Sequence, residues 1–260
     1  MGVGAIACAS GGAYGFIGSK GIRVERHTLN LPRWDADGFR VVILTDFHLV
    51  GQSALERGLE AVEVGLREPA DVIVLLGDYV ESSLDPSIER LVTLLDSLKA
   101  ATLPVLAVLG NHDYWTERPR RVINTIADAS HIRLLRNEAE TVKGVKIGGV
   151  DDAIGFKAKP EFLKELGDRN VLALFHEPDF VKTLPQNVAL QLAGHSHGGQ
   201  VCLPGGKPVA LPRGAREYYR GFYRDAHVPL YVSRGIGTSG PDLRAFCPPE
   251  VSVLTLRSEA

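Results

Sequence analysis

Metal-ligating side chains lie in five short clusters along this 260-residue chain: Asp46-Phe47-His48, Gly77-Asp78, Gly110-Asn111-His112-Asp113, His176, and Gly194-His195-Ser196-His197. Five of the eight histidines belong to them. Such a mixture suits phosphate-ester hydrolysis, which needs anionic oxygens neutralised and a nucleophile supplied at neutral pH. Two divalent cations about 3.5–4 Å apart do both, and a water bridging them loses its proton far more readily than bulk water. Cations held that close need one ligand that touches both, a task for a carboxylate. Asp78, alone at its strand end, is the natural bridge. Asp46 and His48 are two residues apart, so on a regular strand they share a face and can reach one metal. His195 and His197 have the same spacing and the same consequence. Imidazole, carboxylate and amide oxygen without thiolate suit Mn²⁺, Fe²⁺, Co²⁺ or Zn²⁺ better than Ca²⁺. His112 adjoins Asn111, and neighbours face differently; if Asn111 is a ligand, His112 is left to stabilise transition-state charge or protonate the leaving oxygen. Asp113 is then placed to orient His112 and keep it charged.

These clusters need elements to carry them. The first three follow the apolar runs 41–44, 72–76 and 105–109, which read as buried strands. That puts the clusters at strand C-termini, where open α/β sheets place their ligand sites. Residues 22–31 alternate apolar and polar, as a half-buried strand should. A helix is expected over about 53–68, opened by the capping-box pattern Ser53-Ala54-Leu55-Glu56. A second starts at Asp85-Pro86 and puts Ile88, Leu91, Leu94, Leu95 and Leu98 on one face. A third covers 116–129. Beyond it, strand candidates at 141–142, 145–150, 171–175, 189–193, 229–233 and 251–256 surround short helices near Pro160 and Pro178. A βαβαβα first half and a strand-rich second half give an α/β fold, a four-layer αββα sandwich of two mixed β-sheets flanked by helices.

Composition narrows the function. A net charge of -2 with 23% charged residues offers no basic field for nucleic acid. Three cysteines exclude a fully paired disulfide framework, and their spacing excludes a CxxC thiolate zinc site; Cys202 and Cys247 read as small core residues. Residues 2–19 are uncharged, apolar and rich in glycine. Residues 1–20 therefore read as a tail or as the remnant of a signal or membrane anchor, with the catalytic domain over 21–260. The protein is expected to be membrane-associated or cytoplasmic, with export through an N-terminal signal as a further route. His27, His131 and His227 lie outside every cluster and read as surface or packing residues. Asp151-Asp152 reads as a helix or turn cap. Arg234, on a Gly-rich loop, either contacts substrate phosphate or holds its loop through backbone carbonyls. The aromatic group 218–223 lines a groove, packs in the core or meets a second subunit.

Together the clusters resemble the signature of the calcineurin-like metallophosphoesterase superfamily, with every position filled in order between Val41 and His197. That resemblance implies the four-layer sandwich and two divalent ions per chain, Mn²⁺ foremost. It assigns Asp46, His48, Asp78 and His197 to the first metal. Asp78, Asn111, His176 and His195 go to the second, with His112 as catalytic acid. Glu25-Arg26-His27-Thr28-Leu29, Gly198-Gly199-Gln200-Val201, the loop 233–240 and Cys247-Pro248-Pro249-Glu250 are similar to the bacterial YkuE/YaeI-like phosphodiesterase branch. Members often carry a Tat signal or membrane anchor. A related class hydrolyses UDP-2,3-diacylglucosamine, which makes a lipid-linked pyrophosphate a candidate substrate beside simple phosphodiesters. Protein phosphatases of this superfamily continue the second motif into an arginine; here it reads Gly77-Asp78-Tyr79-Val80-Glu81-Ser82, which argues against a phosphoprotein substrate. A phosphomonoesterase of the same fold is the nearest alternative. A non-catalytic scaffold should have lost ligands or His112, and all are present.

Overall fold

The structure, a computed structural model, describes residues 21–81 and 86–259. The reading of residues 1–20 as a tail or anchor, and of Asp85 as a helix cap, falls outside the described residues.

The apolar runs form strands because both of their faces are buried. In β2 (Phe39–Leu44), Val41 and Ile43 turn toward a core between two sheets, whereas Val42 and Leu44 turn toward helices. β3 (Val72–Leu75) and β4 (Val105–Ala107) continue it in parallel, with Val41 opposite Val72 and Ile73 opposite Val105. Their crossovers are helices α1 (Gln52–Arg67) and α2 (Pro86–Ser97), and Leu91, Leu94 and Leu95 of α2 fill the helix-side core. Strands β1 (Arg23–Leu31), β5 (Arg133–Leu134) and β12 (Glu250–Ser258) complete a six-stranded sheet of order β1-β12-β2-β3-β4-β5, in which only the β12–β2 pair is antiparallel.

The second sheet holds β6 (Glu138–Val142), β7 (Val145–Gly149), β8 (Val171–Leu174), β9 (Leu190–Ala193), β10 (Gly221–Tyr223) and β11 (Leu230–Val232), ordered β10-β11-β9-β8-β7-β6. Ile147, Leu172, Leu174, Leu190 and Leu192 meet the first sheet. On its outer side, Leu163 and Val181 come from the 3-10 segments Pro160–Leu166 and Pro178–Thr183. The αββα order of layers is therefore met, but the fourth layer is made of short 3-10 turns rather than α-helices.

Two local expectations differ. Helix α1 starts at Gln52 with extended Gly51 as its N-cap and no side-chain cap, so the capping box at Ser53 does not form. The third helix, expected over 116–129, is shorter: α4 covers Pro119–Ala127, opened by Pro119 as an N1 residue, and a separate single turn, α3 (Asn111–Tyr114), precedes it. Among the described residues no helix is long and apolar enough to cross a membrane. Parallel pairing sends the C-terminal ends of β2, β3 and β4 to one edge of the first sheet, and those of β8, β9 and β11 to one edge of the second. Backbone bonds sew these ends together, from Asp46 N to Gly77 O (3.0 Å) and from Gly194 N to His176 O (3.0 Å).

Candidate metal centre

The expected ligands lie just beyond the strand ends, and the backbone there is not strand. Asp46 (φ 56), His48 (φ 46), Asp78 (φ 53), His195 (φ 67) and His197 (φ 50) all occupy the left-handed region. The regular-strand argument for shared faces is thus corrected: the chain turns at each of these residues. Each turn leaves the pairs converging all the same. One donor atom from each of Asp46, His48 and His197 falls within 4.8 Å of the others, and the same holds for Asp78, His176 and His195. A third such group joins His48, Asp78 and His112. L-residues disfavour this backbone, with Asp and His among the more tolerant. Backbone ties hold it: His48 N donates to Asp78 O (3.1 Å) and Gly237 N to Asp46 O (2.6 Å). Two motif glycines are needed for closeness. A Cβ on Gly110 would sit 2.3 Å from Asp78 Oδ1 and 2.7 Å from His176 Nε2, and one on Gly194 would sit 2.5 Å from Asp46 Oδ2.

Three imidazoles are fixed through the ring nitrogen that faces away from Asp46 and Asp78. His176 Nδ1 donates to Leu76 O (2.6 Å), His195 Nε2 donates to Arg213 O (2.8 Å), and His48 Nδ1 meets the Glu81 carboxylate. These partners set the tautomers, as outer partners do for metal-bound histidines. The inner nitrogens converge. His176 Nε2 lies 3.1 Å and His48 Nε2 3.5 Å from Asp78 Oδ2, so Asp78 links the His176–His195 group to the group it forms with His48 and His112. His197 Nε2 is 3.0 Å from His48 Nε2 and 3.5 Å from Asp46 Oδ1. Asn111 Oδ1 is buried without a hydrogen-bond partner, an expensive condition that a cation relieves. Buried nitrogen and oxygen donors of this kind fit two divalent cations.

The charges are arranged accordingly. Burial by itself would raise the Asp78 carboxyl, but the imidazoles of His176, His48 and His112 hold it well below the usual carboxylate range. Burial would lower His176, yet Asp78 and Asp46 raise it well above its ordinary value. Burial, helped by the neighbouring charges of His48 and Arg244, pushes His197 far down. Burial beside His176 brings His195 to about 4. Both are therefore neutral donors at neutral pH.

His112 sits at the rim, its ring 4.8 Å from that of His48 and its backbone N–H on Asp78 Oδ1 (2.9 Å). Asp113 does not orient it. The Asp113 carboxylate accepts the backbone N–H groups of Gly110 (2.9 Å), Asp78 (3.0 Å) and Tyr79 (2.9 Å), so it pins one ligand loop to the other. Its short α3 turn directs it back into the chain. The residue beside His112 is Glu81, whose carboxylate lies 3.4 Å from His112 Nδ1 and also accepts Ser239 Oγ (3.0 Å). Glu81 was visible in sequence only as the place where the phosphatase motif departs. Its spacing of three from Asp78 was the available signal.

Arg234 faces neither phosphate nor loop carbonyls with its guanidinium, which pairs with Glu25 and Glu250 at 2.5 Å each. Arg244 holds the Gly-rich loop instead. It is 1% exposed and donates to the carbonyls of Arg234 (2.8 Å), Gly237 (2.7 Å) and His197 (3.2 Å). His131 and His227 bind backbone carbonyls and His27 packs beside Tyr231, all away from the centre. Asp152 caps a turn through the N–H groups of Ile154 and Gly155. Tyr218 and Tyr223 pack edge-to-face against the core of the second sheet. Cys202 and Cys247 are buried and unpaired, as expected.

A cleft of about 580 Å³ opens over the centre. Asp78, Asn111, His112, His195 and His197 form its polar end, and Trp115, Ile154, Val201, Val209 and Leu211 line an apolar wall.

Known proteins are similar to this chain. A family model described as calcineurin-like phosphoesterase matches residues 39–199. The metallophosphoesterase YkuE of Bacillus subtilis, itself uncharacterized, is 32% identical, with 97% of this chain and 92% of its own length aligned. The phosphodiesterase YaeI of Escherichia coli is 30% identical over 89% of this chain and 87% of its own length. The crystal structure of TT1561 of Thermus thermophilus is similar in fold, with a TM-score of 0.51 and 16% identity over 76% of this chain and 90% of that one. Its two mixed sheets and their strand-end cluster of Asp and His, with these matches, place the chain in the calcineurin-like phosphoesterase family.

Proposed function

We propose that this metallophosphoesterase hydrolyses phosphodiester or pyrophosphate bonds at a dinuclear centre. The observation that carries the proposal is Asp78, shared by two groups of converging donors, one with His176 and His195 and one with His48 and His112, beside the buried and unpartnered Asn111 Oδ1. In this reading Asp46, His48, Asp78 and His197 hold one cation, and Asp78, Asn111, His176 and His195 the other. Mn²⁺ suits the donors best, with Zn²⁺, Fe²⁺ and Co²⁺ as alternatives. Two bound cations supply charge neutralisation and acidify a water. His112 gives its proton to the leaving oxygen, and Glu81, 3.4 Å from its Nδ1, orients the imidazole. Asp113 keeps the Asp78 and Asn111 loops in register rather than touching the reacting atoms.

Charge favours a diester. A phosphomonoester dianion asks for an additional positive contact, and Arg213 is the one Lys or Arg among the described residues that line the cleft. The apolar wall supports a second reading, a lipid-linked pyrophosphate of the UDP-2,3-diacylglucosamine type, since an acyl chain would cover Trp115 and Val209. A non-catalytic scaffold is disfavoured by the complete donor set.

The test is hydrolysis of bis(p-nitrophenyl) phosphate against p-nitrophenyl phosphate by protein stripped of metal and resupplied with Mn²⁺, Zn²⁺, Co²⁺ or Mg²⁺. Metal-restored activity on the diester is expected. His112→Asn should retain its metals and lose roughly 10²–10⁴-fold in turnover. A monoester preference would reassign the protein as a phosphatase, and no turnover with two ions bound would revive the scaffold.

A further inference from the structure

We infer that the mouth of the cleft is a membrane-docking face that seats on anionic lipid headgroups. The inference concerns a surface outside the metal centre and does not rest on the catalytic reading. Six large hydrophobic side chains are exposed among the described residues, and four of them ring this mouth. Trp115 (58% exposed) and Val209 (62%) line it directly. Phe156, 87% exposed, follows the lining residue Ile154 by two positions. Leu203 stands on the turn that joins the lining residues Val201 and Val209, closed by Leu203 N to Lys207 O (2.8 Å) and Val209 N to Val201 O (3.0 Å).

Charge selects the partner. The three segments that carry these residues, 115–121, 154–161 and 203–213, hold Arg118, Arg120, Arg121, Lys157, Lys159, Lys207 and Arg213 against only Glu117 and Glu161. All of these charged residues are exposed. Seven cations to two acids is a local excess in a chain whose net charge is -2. Exposed aromatic and aliphatic side chains interleaved with Lys and Arg are the composition of an interfacial surface. The apolar groups enter the headgroup boundary while each cation near an anionic leaflet adds electrostatic attraction. The apolar side chains also stand on three separate projecting segments, not on one flat patch. That form suits insertion between headgroups better than burial against a rigid protein partner.

The chain carries two tryptophans, and Trp34 is fully buried, so a change in emission reports Trp115. The full-length protein would be titrated with phosphatidylcholine vesicles and with vesicles that also contain phosphatidylglycerol. Expected are co-sedimentation with the anionic vesicles, a blue shift of emission, quenching by brominated lipid, and weakening by salt. F156D/L203D and K157E/K159E should each bind about tenfold or more weaker while the urea unfolding midpoint, which shows that the variants fold, stays unchanged. Absence of vesicle binding overturns the inference. So does equal binding to neutral vesicles, or undiminished binding by both variants, which would put the attachment elsewhere in the chain. A variant that alters the oligomeric state by light scattering but not vesicle binding would assign the face to a second copy and overturn it as well.

Discussion

Asp113→Asn separates a structural role for this carboxylate from a catalytic one. Its Oδ2 accepts the N–H groups of Gly110 and Asp78, and its Oδ1 accepts that of Tyr79, all at 2.9–3.0 Å and fully buried. The amide that replaces it has one acceptor oxygen, so at least one backbone N–H must face an NH₂ group. A buried hydrogen bond to a charged group is worth about 1.5–3 kcal/mol, and an orphaned buried donor costs a further 1–3 kcal/mol at most. With two bonds kept but weakened, the substitution should cost on the order of 2–4 kcal/mol. That is a large share of the roughly 5–15 kcal/mol typical of a folded domain. Asp113→Ala, which orphans three donors, should cost more and yield little folded protein. Urea unfolding of the metal-free Asn variant should show a lower midpoint with an unchanged slope. Elemental analysis should show loss of metal, because the Asp78 and Asn111 loops are no longer tied. A wild-type midpoint and full metal content with slow turnover would refute this reasoning and return Asp113 to the role of orienting His112.

Glu81→Gln should lower metal affinity or turnover by about 10–100-fold, the usual effect of removing an outer partner of a metal-bound histidine, with little change in unfolding midpoint; unchanged kinetics and metal content would dismiss it. Asp78→Asn should weaken both cations together, read as a fall in bound metal from two toward none rather than from two to one. Metal uptake should release protons. His176 and His48 are raised above their ordinary values, the first by Asp78 and Asp46 and the second by Glu81 and Asp78, in both cases against burial. His176, held well above its ordinary value, is protonated at neutral pH until a cation displaces its proton, and His48 shifts in the same direction, so apparent affinity must climb with pH and fall as pH drops. Calorimetry at pH 7 in buffers of different ionisation enthalpy should register about one to two protons released per chain, and none would contradict the assignment.

Much of this was legible from side-chain type alone. Runs such as Val72 to Leu76 are apolar on both faces, and nothing but a doubly covered strand accommodates that; the clusters then had to sit at strand ends. Ligand identity was legible because few other circumstances gather Asp, Asn and His after successive strands. What escaped depends on path rather than type. Asp113 beside His112 looks like an orienting carboxylate until the α3 turn is known to aim it at backbone N–H groups. Arg234 and Arg244 flank the same Gly-rich loop, and only packing distinguishes the one that pairs with Glu25 and Glu250 from the one that is buried on carbonyls. Glu81 reaches His48 and His112 because the chain curls back after Asp78, a bend that no local propensity announces. Ser53-Ala54-Leu55-Glu56 is a valid cap pattern, overridden because the chain enters α1 two residues too early for it to serve.

The left-handed backbone at Asp46, His48, Asp78, His195 and His197 bears on how these positions tolerate change. Asp, Asn and His are the non-glycine residues that adopt φ > 0 with least difficulty, and they are also good hard or borderline ligands. One short alphabet therefore satisfies two demands, and a substitution can fail on either. Asp46→Glu keeps a carboxylate but asks a longer side chain to accept the turn, and His48→Cys keeps a metal donor but not the backbone tolerance. Asn at any of these five positions is the informative replacement, since it retains the turn while changing the donor. Residue preferences compiled across variants of this site would thus overstate how much is owed to the metal, because part of the preference belongs to the curvature of the chain.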